Sequence, residues 1–373
     1  MNEKRLVATL MELVRIDSES RNEQRFQHYL REKLDALGLK TFEDDSKTIT
    51  GWKAGNLIGV LEANADMPGV LFCCHSDTVQ PGVGIEPICE SGIIRSAGKT
   101  ILGADDKAGI AILLEVMQTL RETQTPHGRI ELVFTVGEEI GLIGAKALDA
   151  TQLHATHGYV LDSGGKVGGI VVASPTLYTM EAVFRGRAAH AGMEPEKGAS
   201  AIEMGARAIA QMQLGRLDPL TTANVGTFQG GTATNIVADE AKLTAEVRSV
   251  DMERCQAQLQ AMEQAMQVAA GSMGGTVDIE VRQQTTGYAL PKQGKAVRLA
   301  EEAIRAAGRD PVHLVIGGAS DANELMLRGI ETANLSIGYE NVHTEDEYIP
   351  VVELEKAAQV AYYIATHAGC EGS

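Results

Sequence analysis

An α/β fold with a mixed, mostly parallel central sheet and a smaller α+β insert is the architecture that this 373-residue chain predicts. Three observations predict it. Short apolar runs alternate with helical patterns along the N-terminal part, the order that builds parallel sheets. Those runs are apolar on both faces, as strands covered from both sides must be. Near Pro175 the texture changes to amphipathic, edge-rich strands, and after Tyr288 the first texture returns. A chain of this length exceeds what one hydrophobic core usually holds, which independently argues for two domains.

The elements follow in order. Glu3–Ile16 and Glu23–Leu37 carry helical periodicity. The runs NLIGVLEA, GVLFCCH, RIELVFTV and GYVLDS read as strands, with KAGIAILLEVMQTLRE as a helix among them. From Leu177 the chain reads strand (YTMEAVFRGRAA), helix (GASAIEMGARAIAQMQLG), two strands (TTANVGTFQGG, NIVADEAKLTAEVRSV), helix (DMERCQAQLQAMEQAMQVAAGSMG) and strand (VDIEVRQQTT). This βαββαβ order predicts a small domain over residues 175–286, inserted into a discontinuous one made of residues 1–174 and 287–373. The second part of that larger domain contributes helix GKAVRLAEEAIRAAG, strand VHLVIGG, helix DANELMLRG, strand TANLSIG and a closing helix, VVELEKAAQVAYYIATHAG.

Hydrophobic residues at 44% and charged residues at 22% describe an ordinary globular chain able to bury a sizeable interior. The formal charge of −17 disfavours a polyanionic partner, so nucleic acid is not expected. Apolar runs such as GIAILLEVM are broken by a charge well short of a membrane span, and the N-terminus reads as an amphipathic helix rather than a signal peptide. A cytoplasmic protein with no membrane partner is the expectation. Cys73, Cys74, Cys89, Cys255 and Cys370 are scattered without a CxxC pair, which predicts reduced, buried thiols.

Residues able to do chemistry collect where strands run out. In LFCCHSDTV, His75 follows four apolar residues, and Asp77, two positions on, can accept an imidazole N–H and set the tautomer of a metal-bound histidine. A strand-end histidine satisfied by the backbone is the competing reading. LGADDKAGIA places Asp105 and Asp106 at the mouth of a helix, where one acid suffices as a cap; the other is surplus, and Asp105, nearer the strand, is the better bridge between two cations. TVGEEIG sets Glu138 beside Glu139. It is either an acidic turn or a division of labour in which one glutamate binds metal and the other serves a water as general base. VLDSGG offers Asp162 at another strand end, and GYENVHTEDEYIPV supplies His343. Open α/β sheets bind ligands at one rim, where His75, Asp105, Glu139, Asp162 and His343 would converge. A mixed N/O donor set suits Zn²⁺ or a similar borderline cation, and a shared carboxylate implies a co-catalytic pair about 3.5–4 Å apart.

The ordered series HSDTV, LGADDKAGIA, FTVGEEIGLIGAKAL, VLDSGG, RGRAAHAG and VHTEDEYI resembles the dinuclear-zinc exopeptidases and amidohydrolases, the family that includes carboxypeptidase G, aminoacylases and peptidase T. The likeness spans nearly the whole chain and lies nearest the peptidase T branch. It departs from that branch in the short Asp77–Asp105 connection and in GGASDANEL, Gly317–Leu325. The resemblance implies a zinc-exopeptidase-like catalytic domain holding two Zn²⁺ per subunit, with Co²⁺ or Mn²⁺ as alternatives. His75 and Asp162 would hold one ion and Glu139 and His343 the other; Asp105 would bridge them, its peptide link to Asp106 being cis in that family. It further implies Glu138 as general acid/base, Asp77 as the orienter of His75, and a homodimer formed through the insert, which would act as dimerisation or lid domain. His190 would reach across to the partner's site, while Asn235 and Arg248 would engage a short peptide substrate. Aminopeptidase action on short peptides is the first expectation, with N-acyl-amino-acid amidohydrolase or carboxypeptidase action as alternatives. A non-catalytic relative that only binds metal or peptide is the reading from another class. Such a relative should lack a ligand or the base, and none is missing.

Overall fold

The computed structural model describes residues 1–368, so Cys370 lies outside the described residues. Two compact units divide the chain. The larger comprises Met1–Val172, Leu290–Leu314 and the chain from Ser320 onward; the smaller comprises Ala173–Ala289 and Val315–Ala319.

The body of the larger unit's sheet runs Lys40–Glu43, Leu57–Leu61, Ile130–Thr135, Val70–His75, His157–Ser163, Glu331–Ser336, Gly169–Ser174. Its centre is parallel: Val70–His75 pairs in parallel with both Ile130–Thr135 and His157–Ser163, and Glu331–Ser336 with His157–Ser163. The flanking pairs are antiparallel. Every residue of Val70–His75 and of Ile130–Thr135 is buried, in keeping with runs that are apolar on both faces. Full burial of a side chain such as Phe72 or Phe134 contributes about 1.5–3 kcal/mol. The helix at Glu3–Val14 buries Leu6, Leu10, Leu13 and Val14, one stripe at helical spacing, and the Asn2 side chain caps its start by accepting the Arg5 N–H.

One glycine is dictated by this packing. The helix over Ala104–Thr123 crosses the sheet so closely that a Cβ on Gly109 would stand 2.4 Å from Asp106 Oδ1, 2.7 Å from Cys74 Sγ and 2.8 Å from the Leu161 oxygen.

The smaller unit is a five-stranded antiparallel sheet in the order Gly215–Asp218, Thr221–Gly230, Glu240–Ser249, Thr176–Arg185, Thr276–Thr285. Alternation sets its faces: Ala241, Leu243, Ala245 and Val247 are buried beside helices Ala201–Gln211 and Met252–Ser272. The edge strand Gly215–Asp218 adds to the βαββαβ order read from the sequence, and the larger unit carries a further three-stranded sheet of Pro87–Glu90, Ile93–Ser96 and Tyr348–Pro350 that the sequence did not reveal. Strands of three or four residues are too short to show a period. Cys73, Cys74 and Cys255 are free and buried. Cys89 corrects the expectation of burial, because its short strand leaves it exposed. Among the described residues no helix is long and apolar enough to cross a membrane.

Candidate metal centre

Four parallel strands point the same way, and the candidate donors follow their C-terminal ends. His75 is the last residue of its strand, Asp162 is next to last in His157–Ser163, Glu139 follows Ile130–Thr135, and His343 follows Glu331–Ser336. Asp105 enters from the mouth of the Ala104–Thr123 helix. The five side chains form one chain of contacts. His75 Nε2 lies 3.0 Å from Asp105 Oδ1 and 3.8 Å from Asp162 Oδ1. His343 Nε2 lies 3.2 Å from Asp105 Oδ2 and 3.0 Å from Glu139 Oε2. Asp105 thus faces one imidazole with each oxygen. His75, Asp105 and Glu139 offer ligand atoms close enough together to hold one metal ion, and so do His75, Asp106 and Asp162.

The local backbone explains how two neighbouring aspartates part company. Asp105 and Asp106 have non-helical torsions, the peptide between them is cis, and the regular helix begins at Lys107. Asp106 Oδ1 accepts the Gly109 N–H at 3.2 Å, the geometry of an N-cap, while its Oδ2 accepts the His75 N–H at 3.2 Å. Capping is therefore the work of Asp106, which leaves the Asp105 carboxylate to face the histidines. Lys107, fully buried, donates to the Ile16 carbonyl at 2.7 Å with its ammonium over the Phe26 ring. Burial pushes its amine down to about 7.

Asp77 does more than its spacing implies. Its carboxylate accepts the main-chain N–H groups of Glu138 at 2.9 Å and Glu139 at 3.3 Å, together with the Ser20 hydroxyl at 2.7 Å. His75 Nδ1 sits 2.9 Å from the Asp77 carbonyl oxygen and 3.5 Å from its carboxylate. One residue thus holds both the imidazole and the turn that carries the paired glutamates. At that turn Gly137 has φ +61°, and a Cβ there would lie 2.4 Å from the Trp52 ring.

Electrostatics favour a cation at this rim. Burial pushes the Asp162, Asp106 and Glu138 carboxyls well above their usual range; the charge of Asp105 adds to the shift at Asp162, and that of Asp162 to the shifts at Asp106 and Glu138. Asp105 goes the other way: burial opposes its ionisation, but hydrogen bonds with His343 and His75 hold it below the usual range. Hydrogen bonds to Asp105 and Glu139 push His343 up to about 10. Six acidic side chains, Asp77, Asp105, Asp106, Glu138, Glu139 and Asp162, surround two imidazoles, more than the histidines can hold ionised together. The donor set of nitrogen and carboxylate oxygen fits a borderline dication, whose charge would relieve the strain.

The remaining candidates lie in the smaller unit. His190 is exposed, with its Nδ1 accepting the Gly192 N–H at 3.2 Å. It bridges to Ile236, and Ala191 N–H donates to the Asn235 oxygen at 3.0 Å, which places the exposed Asn235 on the adjoining segment. Half-buried Arg248 pairs through Nε and Nη2 with Glu246, at 2.9 and 3.0 Å, and through Nη1 with the Gly317 oxygen at 2.9 Å. Two residues at the rim escaped the sequence reading. Tyr339 donates its hydroxyl to Asp162 Oδ1 at 2.7 Å, and Glu347 accepts the N–H groups of Leu102, Gly103 and Asp105 at 2.7–3.0 Å. Neither carries a local signal. A tyrosine near a strand end and one acid within TEDE are ordinary in composition.

A parallel-centred α/β sheet with a histidine–carboxylate cluster at its C-terminal rim defines a metallohydrolase type of architecture, and comparison places it. Residues 71–367 match the model of peptidase family M20/M25/M40, and the chain belongs to that family. It is 46% identical to the uncharacterized protein YqjE of Bacillus subtilis over 99% of both chains. Among solved structures it is similar to aminopeptidase PepT from Bacillus cereus, at 48% identity and TM-score 0.95, covering 99% of each chain. It is also similar to a tripeptidase from Staphylococcus aureus, at 42% identity and TM-score 0.96, again covering 99% of each.

Proposed function

We propose that the protein is a cytoplasmic, dinuclear-zinc metallopeptidase that removes residues from the N-terminus of short peptides. The observation that carries this reading is the meeting of His75, Asp105, Glu139, Asp162 and His343 at one rim, with Glu138 beside them, in a chain so similar to an aminopeptidase and a tripeptidase. In this reading His75 and Asp162 would hold one zinc, Glu139 and His343 the other, and Asp105 would serve both. When bound, the zinc pair supplies Lewis acidity and lowers the pKa of a water to about 7.

The protein's own groups then divide the work. Glu138 takes the proton of the attacking water and returns it to the departing amine, so a single carboxylate serves as base and then acid. Asp77, by accepting the N–H groups of Glu138 and Glu139, fixes the turn from which both side chains project. His190 donates to the oxyanion as it forms, reaching the site from the partner subunit of a homodimer built through the smaller unit. Asn235 and Arg248 bind the peptide's carboxylate or backbone, for which Arg248 exchanges its tie to Glu246.

The test is metal analysis combined with a panel of di- and tripeptides, free or blocked at the N-terminus, and N-acyl amino acids. Two zinc ions per chain and cleavage that a blocked N-terminus abolishes support the reading. Hydrolysis of blocked substrates instead moves the activity to carboxypeptidase or amidohydrolase. Zinc-loaded protein that cleaves no amide would leave a binding protein.

A further inference from the structure

His343 lies midway in a nine-residue segment, Tyr339–Glu347, whose two ends touch the rim at different places. At one end Tyr339, 2% exposed, donates its hydroxyl to Asp162 Oδ1 at 2.7 Å. The Asp162 main chain is already pinned, since Asn334 accepts its N–H at 3.1 Å and donates to its carbonyl at 2.8 Å. What the phenol adds is the direction in which the carboxylate turns. The Tyr339 ring packs against Gly164, and its carbonyl accepts the Gly165 N–H at 2.9 Å, so the hydroxyl itself is held by the loop that follows Asp162.

At the other end Glu347, 1% exposed, spends both oxygens on one loop. Oε2 accepts from Leu102 at 2.8 Å and Gly103 at 2.7 Å, and Oε1 from Asp105 at 3.0 Å. A buried carboxylate satisfied by three peptide N–H groups fixes the backbone from which Asp105 projects. Between the ends, the segment closes on itself. Glu340 exchanges main-chain hydrogen bonds of 2.9 and 3.1 Å with Tyr348, the residue just past the segment, and the Thr344 hydroxyl donates to the Asn341 oxygen at 2.7 Å. Asn341 and His343 are held at φ +56° and +64°, a region that side chains adopt only where surrounding structure enforces it.

We propose that Tyr339–Glu347 is a clasp that presets both halves of the metal site at once, with Tyr339 positioning Asp162, Glu347 positioning Asp105, and His343 contributing its imidazole between them. The clasp rests on the proposed two-metal reading and deepens it. Tyr339 and Glu347 touch donors rather than substrate, so they are positioning residues. Because both ends belong to one closed segment, ordering of one cation position aids the other.

The test is titration of metal-free protein with Zn²⁺ against a chromophoric chelator, on wild type, Tyr339→Phe and Glu347→Gln. Tyr339→Phe removes one oxygen and keeps the ring, so the metal-free variant should still unfold cooperatively, with a melting temperature lowered only by the loss of one buried hydrogen bond. One of its two zinc ions, the one assigned to His75 and Asp162, should be bound about 10–100-fold less tightly, as for other lost outer partners of a ligand. Peptidase activity should fall at limiting zinc and return at excess zinc, a rescue that a packing defect would not show. Glu347→Gln places an NH₂ opposite the Asp105 N–H or loses the paired acceptance from Leu102 and Gly103. It should weaken both zinc ions, because Asp105 faces both histidines. Wild-type protein that binds two zinc ions and cleaves peptides, alongside a Tyr339→Phe variant of unchanged zinc affinity, overturns the clasp alone. Wild-type protein that binds no zinc overturns the functional reading, and the clasp with it.

Discussion

At the rim of the parallel strands each candidate donor is bonded to another, whereas in the smaller unit His190 and Asn235 are exposed and linked through main-chain hydrogen bonds. The two regions differ in what holds their polar groups in place. Burial compels His75, Asp105, Glu139 and Asp162 to find a partner or to bind a cation, because an unpaired charge in a water-poor site is costly, and the half-exposed His343 is drawn in by Asp105 and Glu139. The exposed histidine and asparagine are solvated, so nothing within the unit requires their chemistry. Roles at the rim therefore follow from the chain's own contacts, while roles in the smaller unit depend on what comes to it.

The largest effect expected from breaking this contrast is at the rim. Glu138→Gln should lower kcat by about 10²–10⁴-fold while zinc content stays at the wild-type value; a variant of ordinary activity would remove Glu138 from the reaction. In the smaller unit, His190→Ala should cost about 10²–10³-fold in kcat, the scale of a lost oxyanion donor, again without loss of zinc. If His190 acts across a dimer, mixing the Glu138→Gln and His190→Ala proteins should restore part of the activity. Each variant assayed alone supplies the baseline.

A smaller effect concerns packing beneath the rim. Gly109→Ala would drive a Cβ into Asp106, Cys74 and the Leu161 carbonyl, and should destabilise the protein by about 1–3 kcal/mol, read as a lower urea midpoint. The smallest effect is in pH dependence. In metal-free protein His343 is raised from 6.5 to about 10 by Asp105 and Glu139. A histidine raised on folding stabilises fully below its unfolded pKa and loses that contribution as pH rises through the folded value. Chelated protein should therefore lose stability between about pH 6.5 and 10. His343→Asn should flatten that slope in thermal melts; because the imidazole is half-exposed, solvent screening keeps the effect small.

Much of the fold was legible because burial writes itself into composition. Val70–His75 and Ile130–Thr135 are covered on both faces and read as continuous apolar runs, while Glu240–Ser249 is covered on one and alternates. The three-stranded sheet and the strand at Gly215–Asp218 were not legible, since strands of three or four residues fall below one recognisable period and one of them, Tyr348–Pro350, pairs with a strand about 250 residues earlier.

By itself the sequence determined which residue types stand at which strand ends, because a parallel strand must be apolar until it runs out, and the first polar residues then fall at the rim. Tertiary structure alone decided how they are used. Asp106 caps the helix and Asp105 faces the histidines because of the turn between them. Asp77 takes the peptides of Glu138 and Glu139 as well as backing His75. Tyr339 and Glu347 arrive from a segment more than 170 residues beyond Asp162 and 240 beyond Asp105. The direction of a side chain depends on backbone torsions and on neighbours brought from elsewhere in the chain, and local periodicity carries no information about either.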